Sequence, residues 1–380
     1  MEKIYLDNNS TTKIDAEVLD SMLPFFVTKY GNPSSNSHIF GWEAKAAIDL
    51  AREQVAKLIN ANSDEIIFTS GATESNNLAI YGYCLKNQLE NSNIITSSIE
   101  HLAVLDVFKK IDFDKKSKAI FIKPNQNGII NISELRKAIT NRTTLISVMH
   151  ANNEIGTIQP IKEIGQLCLE KNIIFHVDAA QSLGKIKIDV LEMNIDLLSI
   201  SSHKIYGPKG IGALYIKDKT KKIELNALIV GGGQEKNYRS GTLATPLIVG
   251  FGRACQICLK NMKDENQRIQ KMRNRLAKSI LTFYPDTKIN GSLERRIPGN
   301  INFTFPFLHG VSIIPLIPNL AVSNGSACSS SDPSPSHVLS QIGISKKNAN
   351  SSLRIGIGRF NKEKDIDIAI ESIKNALRKK

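Results

Sequence analysis

No stretch of this sequence is long and apolar enough to span a bilayer, which takes about 20 consecutive apolar residues. The opening residues, Met1-Glu2-Lys3-Ile4-Tyr5-Leu6-Asp7, lack the basic head and apolar run of a secretory signal. Cysteine is scarce: five residues, odd in number and irregular in spacing, argue against a disulfide framework and for a reducing cytoplasm. Cys255 and Cys258 form a C-x-x-C, but inside a helical run and with no second pair to complete a zinc site, so no metal is expected. Internal repeats and low-complexity tails are missing as well. The excess of 49 basic over 36 acidic residues, a net charge of +13, is scattered. No helix-turn-helix, zinc finger or basic aromatic strand accompanies it, so direct nucleic-acid binding is not expected. An anionic cofactor and an acidic protein partner suit a basic surface as well.

What remains is a globular chain of 380 residues, 41% hydrophobic and 22% charged, long enough for two domains. A helical face recurs through Ala44, Ala47, Ile48, Ala51, Val55 and Leu58. From there short apolar strands are predicted at 66–69, 94–97, 119–123, 145–149, 173–177, 197–200 and 212–216, with helical patterns such as 161–171 between most of them. Near-continuous apolar strands alternating with helices predict an α/β fold around a mostly parallel sheet covered on both faces. Ligands of such sheets sit beyond the carboxyl ends of the strands. A long helix over about 247–283 leads to a smaller α+β region with strands near 302–305 and 353–355, and an amphipathic helix over 362–379 closes the chain.

Polar clusters punctuate those strand ends. Leu197-Leu198-Ser199-Ile200 runs into Ser201-Ser202-His203-Lys204, hydroxyls and an imidazole beside one lysine. That combination can grip a phosphate while the amine holds a carbonyl, as pyridoxal phosphate requires. Phe68-Thr69-Ser70-Gly71-Ala72-Thr73 is a strand, a glycine turn and a helix start: an anion site if the backbone N–H groups are used, a plain N-cap if not. Glu100-His101 and Asn152-Asn153-Glu154 follow two further strands. Asp178, at the end of His176-Val177-Asp178, is costly there unless paired, and a pyridinium N–H or a helix cap would each serve. In the second region, Cys328 stands among small polar residues in Ser323–Asp332, where an exposed, mobile thiol is expected. Arg354 lies in a short strand, able to clamp a carboxylate bidentately or to make a surface ion pair. The other four cysteines read as structural.

Taken in order, Gly71-Ala72-Thr73-Glu74-Ser75-Asn76, Glu100-His101, Asn152–Gly156, His176–Gln181, Ser201–Gly210, Arg239–Thr242 and Gly325-Ser326-Ala327-Cys328 resemble the cysteine desulfurases, pyridoxal-phosphate enzymes of the class V aminotransferase superfamily. The resemblance runs from Tyr5 to about Phe360, and the long loop after Cys328 is similar to that of the iron–sulfur-cluster branch. It implies fold type I and a homodimer. Lys204 would form the Schiff base, Asp178 pair with the pyridine nitrogen and Gln181 bond the phenolic oxygen, while His101 would stack on the ring and move protons. Ala72, Thr73, Ser201 and His203 would hold the phosphate, joined by Thr242 from the neighbouring subunit. Asn153 would contact the cofactor or substrate carboxylate, Arg354 would hold the carboxylate of L-cysteine, and Cys328 would accept its sulfur as a persulfide. An iron–sulfur scaffold protein is the implied partner, with tRNA thiolation a further destination for the sulfur.

The expected division is an N-terminal segment 1–15 packing with the small domain, a large cofactor-binding domain 16–262 and a small domain 263–380 carrying the cysteine loop. Two departures from the family pattern stand out. Pro315 and Pro318 interrupt a segment that is helical in the family, and Ser202 stands where a smaller residue is usual and is expected to be tolerated. A selenocysteine lyase or aminotransferase of the same fold stays open at this point. So does a basic RNA-binding or scaffold protein without catalysis, against which Lys204, Asp178, Gln181 and Cys328 speak.

Overall fold

Seven strands carry the buried aliphatic runs, and their side chains alternate between two cores. In a computed structural model, which describes residues 2–87, 89, 91–115, 117–217, 223–325 and 335–378, the short N-terminal strand β1 (Ile4–Tyr5) precedes β2 (Ile66–Thr69), β3 (Ser92–Ser97), β4 (Ser117–Ile122), β5 (Thr143–Met149), β6 (Ile174–Asp178), β7 (Leu197–Ser201) and β8 (Gly212–Ile216). The last seven form one sheet in the order β2-β8-β7-β6-β5-β3-β4. Its pairs are parallel from β7 through β6, β5 and β3 to β4, whereas β8 runs antiparallel to both of its neighbours.

Because successive strand residues point to opposite faces, Leu198, Phe175, Ile146 and Phe68 pack into one core with the Ile39–Leu58 and Thr245–Phe283 helices. Leu197, Ile174, Leu145 and Ile67 pack into the other, against Phe108 and Ile111 of the Leu102–Phe113 helix. The strands other than the edge strand β4 bury both faces, which is why they read as apolar runs rather than alternating ones.

A second, smaller layer is built from β9 (Lys288–Ile289), β10 (Asn300–Thr304), β11 (Leu320–Ala321) and β12 (Ser352–Gly356). β10 lies between β9 and β12, antiparallel to both, while β1 pairs in parallel with β11. The Glu363–Arg378 helix lays Ile366, Ile370, Ile373 and Leu377 onto a core that includes Ile4, Leu6, Phe303 and Ile355. The 39-residue Thr245–Phe283 helix joins the layers: Ile248, Phe251 and Cys255 belong to the first core, Met272, Leu276 and Ile280 to the second. It starts two residues before the apolar periodicity does, since Pro246 fits a first helical turn, where its missing N–H has no helical partner to lose.

Around the two prolines the chain makes a 3₁₀ turn, Ile314–Leu316, in place of an α-helix, yet Ile313 and Ile317 still reach the core. Glu235 pins the loop 231–242 to β2: it takes both terminal nitrogens of Arg52, at 2.8 and 2.6 Å, and the backbone N–H of Phe68 at 2.6 Å. Cys84, Cys168, Cys255 and Cys258 are all buried thiols.

Candidate active site

The carboxyl ends of β5, β6 and β7 open into a cavity of ≈ 400 Å³. The two layers meet there through the turn Asn8–Thr12. Asn8 N–H donates to Gly356 O of β12, and Thr12 N–H donates to His203 O just beyond β7. Of the residues predicted from sequence, Lys204, His101, Ala72, Thr73, Asn153, Asp178, Gln181, Ser201, His203 and Arg354 all line this cavity. Thr242 does not. It is exposed and shares a surface hollow with Tyr30, Gly31 and Pro33. Cys328 lies outside the described residues.

Asp178, the last residue of β6, is 6% exposed. Oδ1 accepts from Ala180 N–H at 2.9 Å, the local turn bond, and Oδ2 accepts from Asn76 Nδ2 at 2.8 Å across the cavity wall. An ionised carboxylate has about four acceptor sites, so lone pairs remain for a ligand N–H. Lys204 closes the 3₁₀ turn Ser202–Lys204 that follows β7, and its Nζ donates to Asn9 O and Ser10 O, both at 2.7 Å.

His101 caps the Leu102–Phe113 helix, with Nδ1 accepting from Ala103 N–H at 3.1 Å. The neutral ring must therefore carry its proton on Nε2. Burial lowers the affinity of this imidazole for a second proton; Asp178 opposes that, and Lys204 and His337 add to it. Glu100 is also buried: Oε1 accepts from Ser97 Oγ at 2.6 Å and Met149 N–H at 3.0 Å. Desolvation pushes its carboxyl up to about 8, leaving it protonated at neutral pH.

The far end of the cavity is backbone. Gly71, at φ +153°, turns the chain into the Ala72–Asn77 helix in a conformation that only glycine adopts at low cost, and nothing lies within 4 Å of where its Cβ would stand. A Cβ on Gly212 of β8 would meet Gly71 Cα at 2.7 Å, so that strand needs glycine for the turn to approach. Ser201 and His203 face the same end, and His203 shares a 3.0 Å bond with Thr11 Oγ1. Burial, with the cations of Lys204, Lys209 and Lys185, pushes His203 down to about 4, so it sits there neutral. Arg239, of the Arg239–Thr242 motif, is held by Glu74 at 3.0 Å.

Arg354 is 1% exposed, so the surface ion pair that sequence left open is not what it makes. Nη2 binds Asp7 Oδ1 at 2.8 Å and Ser10 Oγ at 2.6 Å, and Nη1 binds Asn153 O at 3.1 Å. Nε–H has no partner among the described residues. The two described ends of the segment around Cys328 also converge here: Gly325 packs beside Glu154, Ser336 Oγ donates to Glu154 Oε2 at 2.5 Å, and His337 Nε2 lies 2.9 Å from Glu100 O.

Asn9, Asn76 and Lys185 were given no role from sequence. The polar turn Asn8-Asn9-Ser10-Thr11-Thr12 directly after a strand was a usable signal for the first. Asn76 sat inside the Gly71–Asn76 motif. Lys185 was visible only as a lysine between the apolar residues Leu183 and Ile188. Together the donors fit pyridoxal phosphate: an amine for the aldehyde, a buried carboxylate for the ring nitrogen, and a glycine turn at a helix start for the phosphate.

The family model for class-V aminotransferases matches residues 4–368. The chain is 50% identical over 370 residues to a protein of Rickettsia typhi named cysteine desulfurase IscS, covering 97% of this chain and 90% of that one. It is similar to a solved NifS-like protein at TM-score 0.91 and 34% identity, over 100% of both chains. A structure described as SspA in complex with cysteine superposes at TM-score 0.84 with 39% identity, covering 94% of this chain and 100% of that one.

Proposed function

The chain belongs to the class-V aminotransferase family, and from that premise we infer that it is an L-cysteine desulfurase dependent on pyridoxal 5'-phosphate. One observation carries the reading: Lys204, Asp178, Gln181 and His101 meet around one cavity, with the buried Arg354 at its edge. When bound, the cofactor supplies the electron sink that weakens bonds around the substrate α-carbon.

The roles of the chain's residues are our proposal. Lys204 binds the cofactor covalently, Asp178 holds its ring nitrogen protonated and Gln181 donates to its phenolic oxygen. Ala72, Thr73, Ser201 and His203 receive the phosphate. His101, neutral and fixed by its bond to Ala103, exchanges protons with the substrate through Nε2. Arg354 takes the substrate carboxylate, for which its unpaired Nε–H is support, and Asn153 borders the same place. Cys328 takes the sulfur: its thiol becomes a persulfide, and cysteine leaves as alanine, so atoms balance without an outside oxidant.

The division into 1–15, 16–262 and 263–380 is part of the same reading. It is supported by the two cores that share the Thr245–Phe283 helix. A homodimer is supported by the apolar surface of Phe26, Val27, Tyr30, Ile39, Phe40 and Trp42, all exposed. This surface continues into the hollow that Thr242 lines, which supports the reading that the threonine serves a neighbour's phosphate. Among the described residues no helix is long and apolar enough to cross a membrane. We place the protein in the cytoplasm, passing sulfur to an iron–sulfur scaffold protein.

The test is the visible absorption of the purified protein with pyridoxal phosphate, then alanine and sulfide release from L-cysteine, for wild type and Cys328→Ser. A coloured wild type that releases both, with a coloured but inactive Cys328→Ser, is expected. Activity surviving that change would instead indicate a lyase or aminotransferase, and a protein that takes up no cofactor would end the reading.

A further inference from the structure

Gln181 has a cation behind it that none of the roles above employs. Lys185 Nζ donates to Gln181 Oε1 at 3.2 Å. The same Oε1 accepts from Asn9 Nδ2 at 3.2 Å, while Gln181 Nε2 donates to Asn9 O at 2.8 Å. Asn9 O is also one of the two carbonyls that hold Lys204. Hydrogen bonds thus form a continuous path from Lys185 through Gln181 and the Asn9 carbonyl to the reactive lysine.

An amide can stand either way round, and its two ends are nearly alike in shape. Two partners set the choice in the same sense: the Asn9 carbonyl accepts and never donates, and the Lys185 ammonium donates and never accepts. With Lys185 charged, Oε1 faces it and Nε2, the end that can donate, bonds Asn9 O with one of its two N–H groups; Gln181 lines the cavity. Lys185 is itself anchored, its carbonyl accepting from Asn266 Nδ2 of the Thr245–Phe283 helix at 2.6 Å. The charged and titratable groups around it among the described residues are Lys204, Arg354, His203 and Cys258, and its amine is pushed down to about 7, chiefly by burial, so the ammonium is its main form below that pH. Glu265, which borders the same small hollow, is taken by Arg359 and is not its counter-ion.

We propose that Lys185 is a positioning residue: its ammonium locks the Gln181 amide with Nε2–H available to the cofactor's phenolic oxygen, and so sets the acidity of the proton that oxygen shares with Lys204. This rests on the desulfurase reading above. Without the donor the phenolic oxygen is a stronger base, and the shared proton is held to higher pH. Removing Lys185 therefore acts through the amide, by leaving that donor mis-set.

The test is a pH titration of the bound cofactor's visible band, with equilibrium binding of pyridoxal phosphate to the apoprotein, for wild type, Lys185→Met, Lys185→Arg, Gln181→Leu and Lys185→Met/Gln181→Leu. Lys185→Met is expected to raise the titration midpoint by about one unit and to weaken cofactor binding about tenfold. Lys185→Arg restores the midpoint, and Lys185→Met adds nothing further once Gln181 is leucine. An unmoved midpoint in Lys185→Met overturns the proposal. A full shift that persists in the Gln181→Leu background also overturns it, because Lys185 would then act as a distant charge and not through the amide. Should the methionine variant not fold, Lys185→Gln keeps a donor without the charge. Its amide can also accept and so leaves Gln181 unset; it should shift the midpoint as methionine does, and an unmoved midpoint in that variant refutes the positioning role. A wild type that binds no pyridoxal phosphate would instead sink the desulfurase reading.

Discussion

Replacing Asn76 by leucine should separate folding from catalysis at this site. Asn76 is fully buried; Nδ2 donates to Asp178 at 2.8 Å, and Oδ1 has no partner among the described residues. The lost bond is to a charged acceptor, worth about 1.5–3 kcal/mol, while removing an unsatisfied buried oxygen returns about 1–3 kcal/mol. The two terms oppose each other and nearly cancel, so the apoprotein is expected to keep its stability to within about 1 kcal/mol. Catalysis has no such offset. Asp178 would keep only its turn bond to Ala180 and would no longer be held toward the ring nitrogen. A loss of about 1.5–3 kcal/mol in positioning corresponds to a kcat about 10- to 150-fold lower, since each 1.36 kcal/mol is about tenfold. The assay is alanine formation at saturating L-cysteine and cofactor, beside thermal unfolding of the apoprotein. An unchanged kcat, or a kcat loss that only follows a large fall in Tm, would refute the reasoning.

Two further outcomes concern buried polar groups. Ser202 is fully buried with a hydroxyl that finds no partner among the described residues. Ser202→Ala is therefore expected to leave stability unchanged or raise it by up to about 1 kcal/mol, and a clear drop in calorimetry would show that the hydroxyl is satisfied in solution. For Glu100 the folded-state carboxyl titrates at about 8 against 4.5 for the ordinary group. The folded protein then binds the extra proton across that window, and its relative stabilisation, complete below 4.5, is lost as pH rises toward 8. Glu100→Gln, which keeps the shape without the titration, should gain in Tm over wild type between pH 5 and pH 8; a constant difference across that range would contradict the assignment.

Period and composition read from the chain alone determined the sheet, because strands buried on both faces must be apolar throughout and helices between them must repeat every 3.6 residues. The strand-end residues Asp178, Ser201 and Lys204 were legible for a related reason: polar groups that interrupt apolar runs stand out when the surrounding core excludes them. The resemblance then supplied roles that spacing could not. Tertiary structure alone decided what those groups touch. Asn76 reaches Asp178 across 102 positions, and Asn9 holds Gln181 and Lys204 across 172 and 195. Arg354 is a deeply buried cation tied to Asp7 rather than a surface arginine, which its short strand could not reveal. Hydrogen bonds join atoms within about 3 Å, and which side chains come that close is settled by how the two layers dock, a long-range packing outcome that no local window of sequence contains.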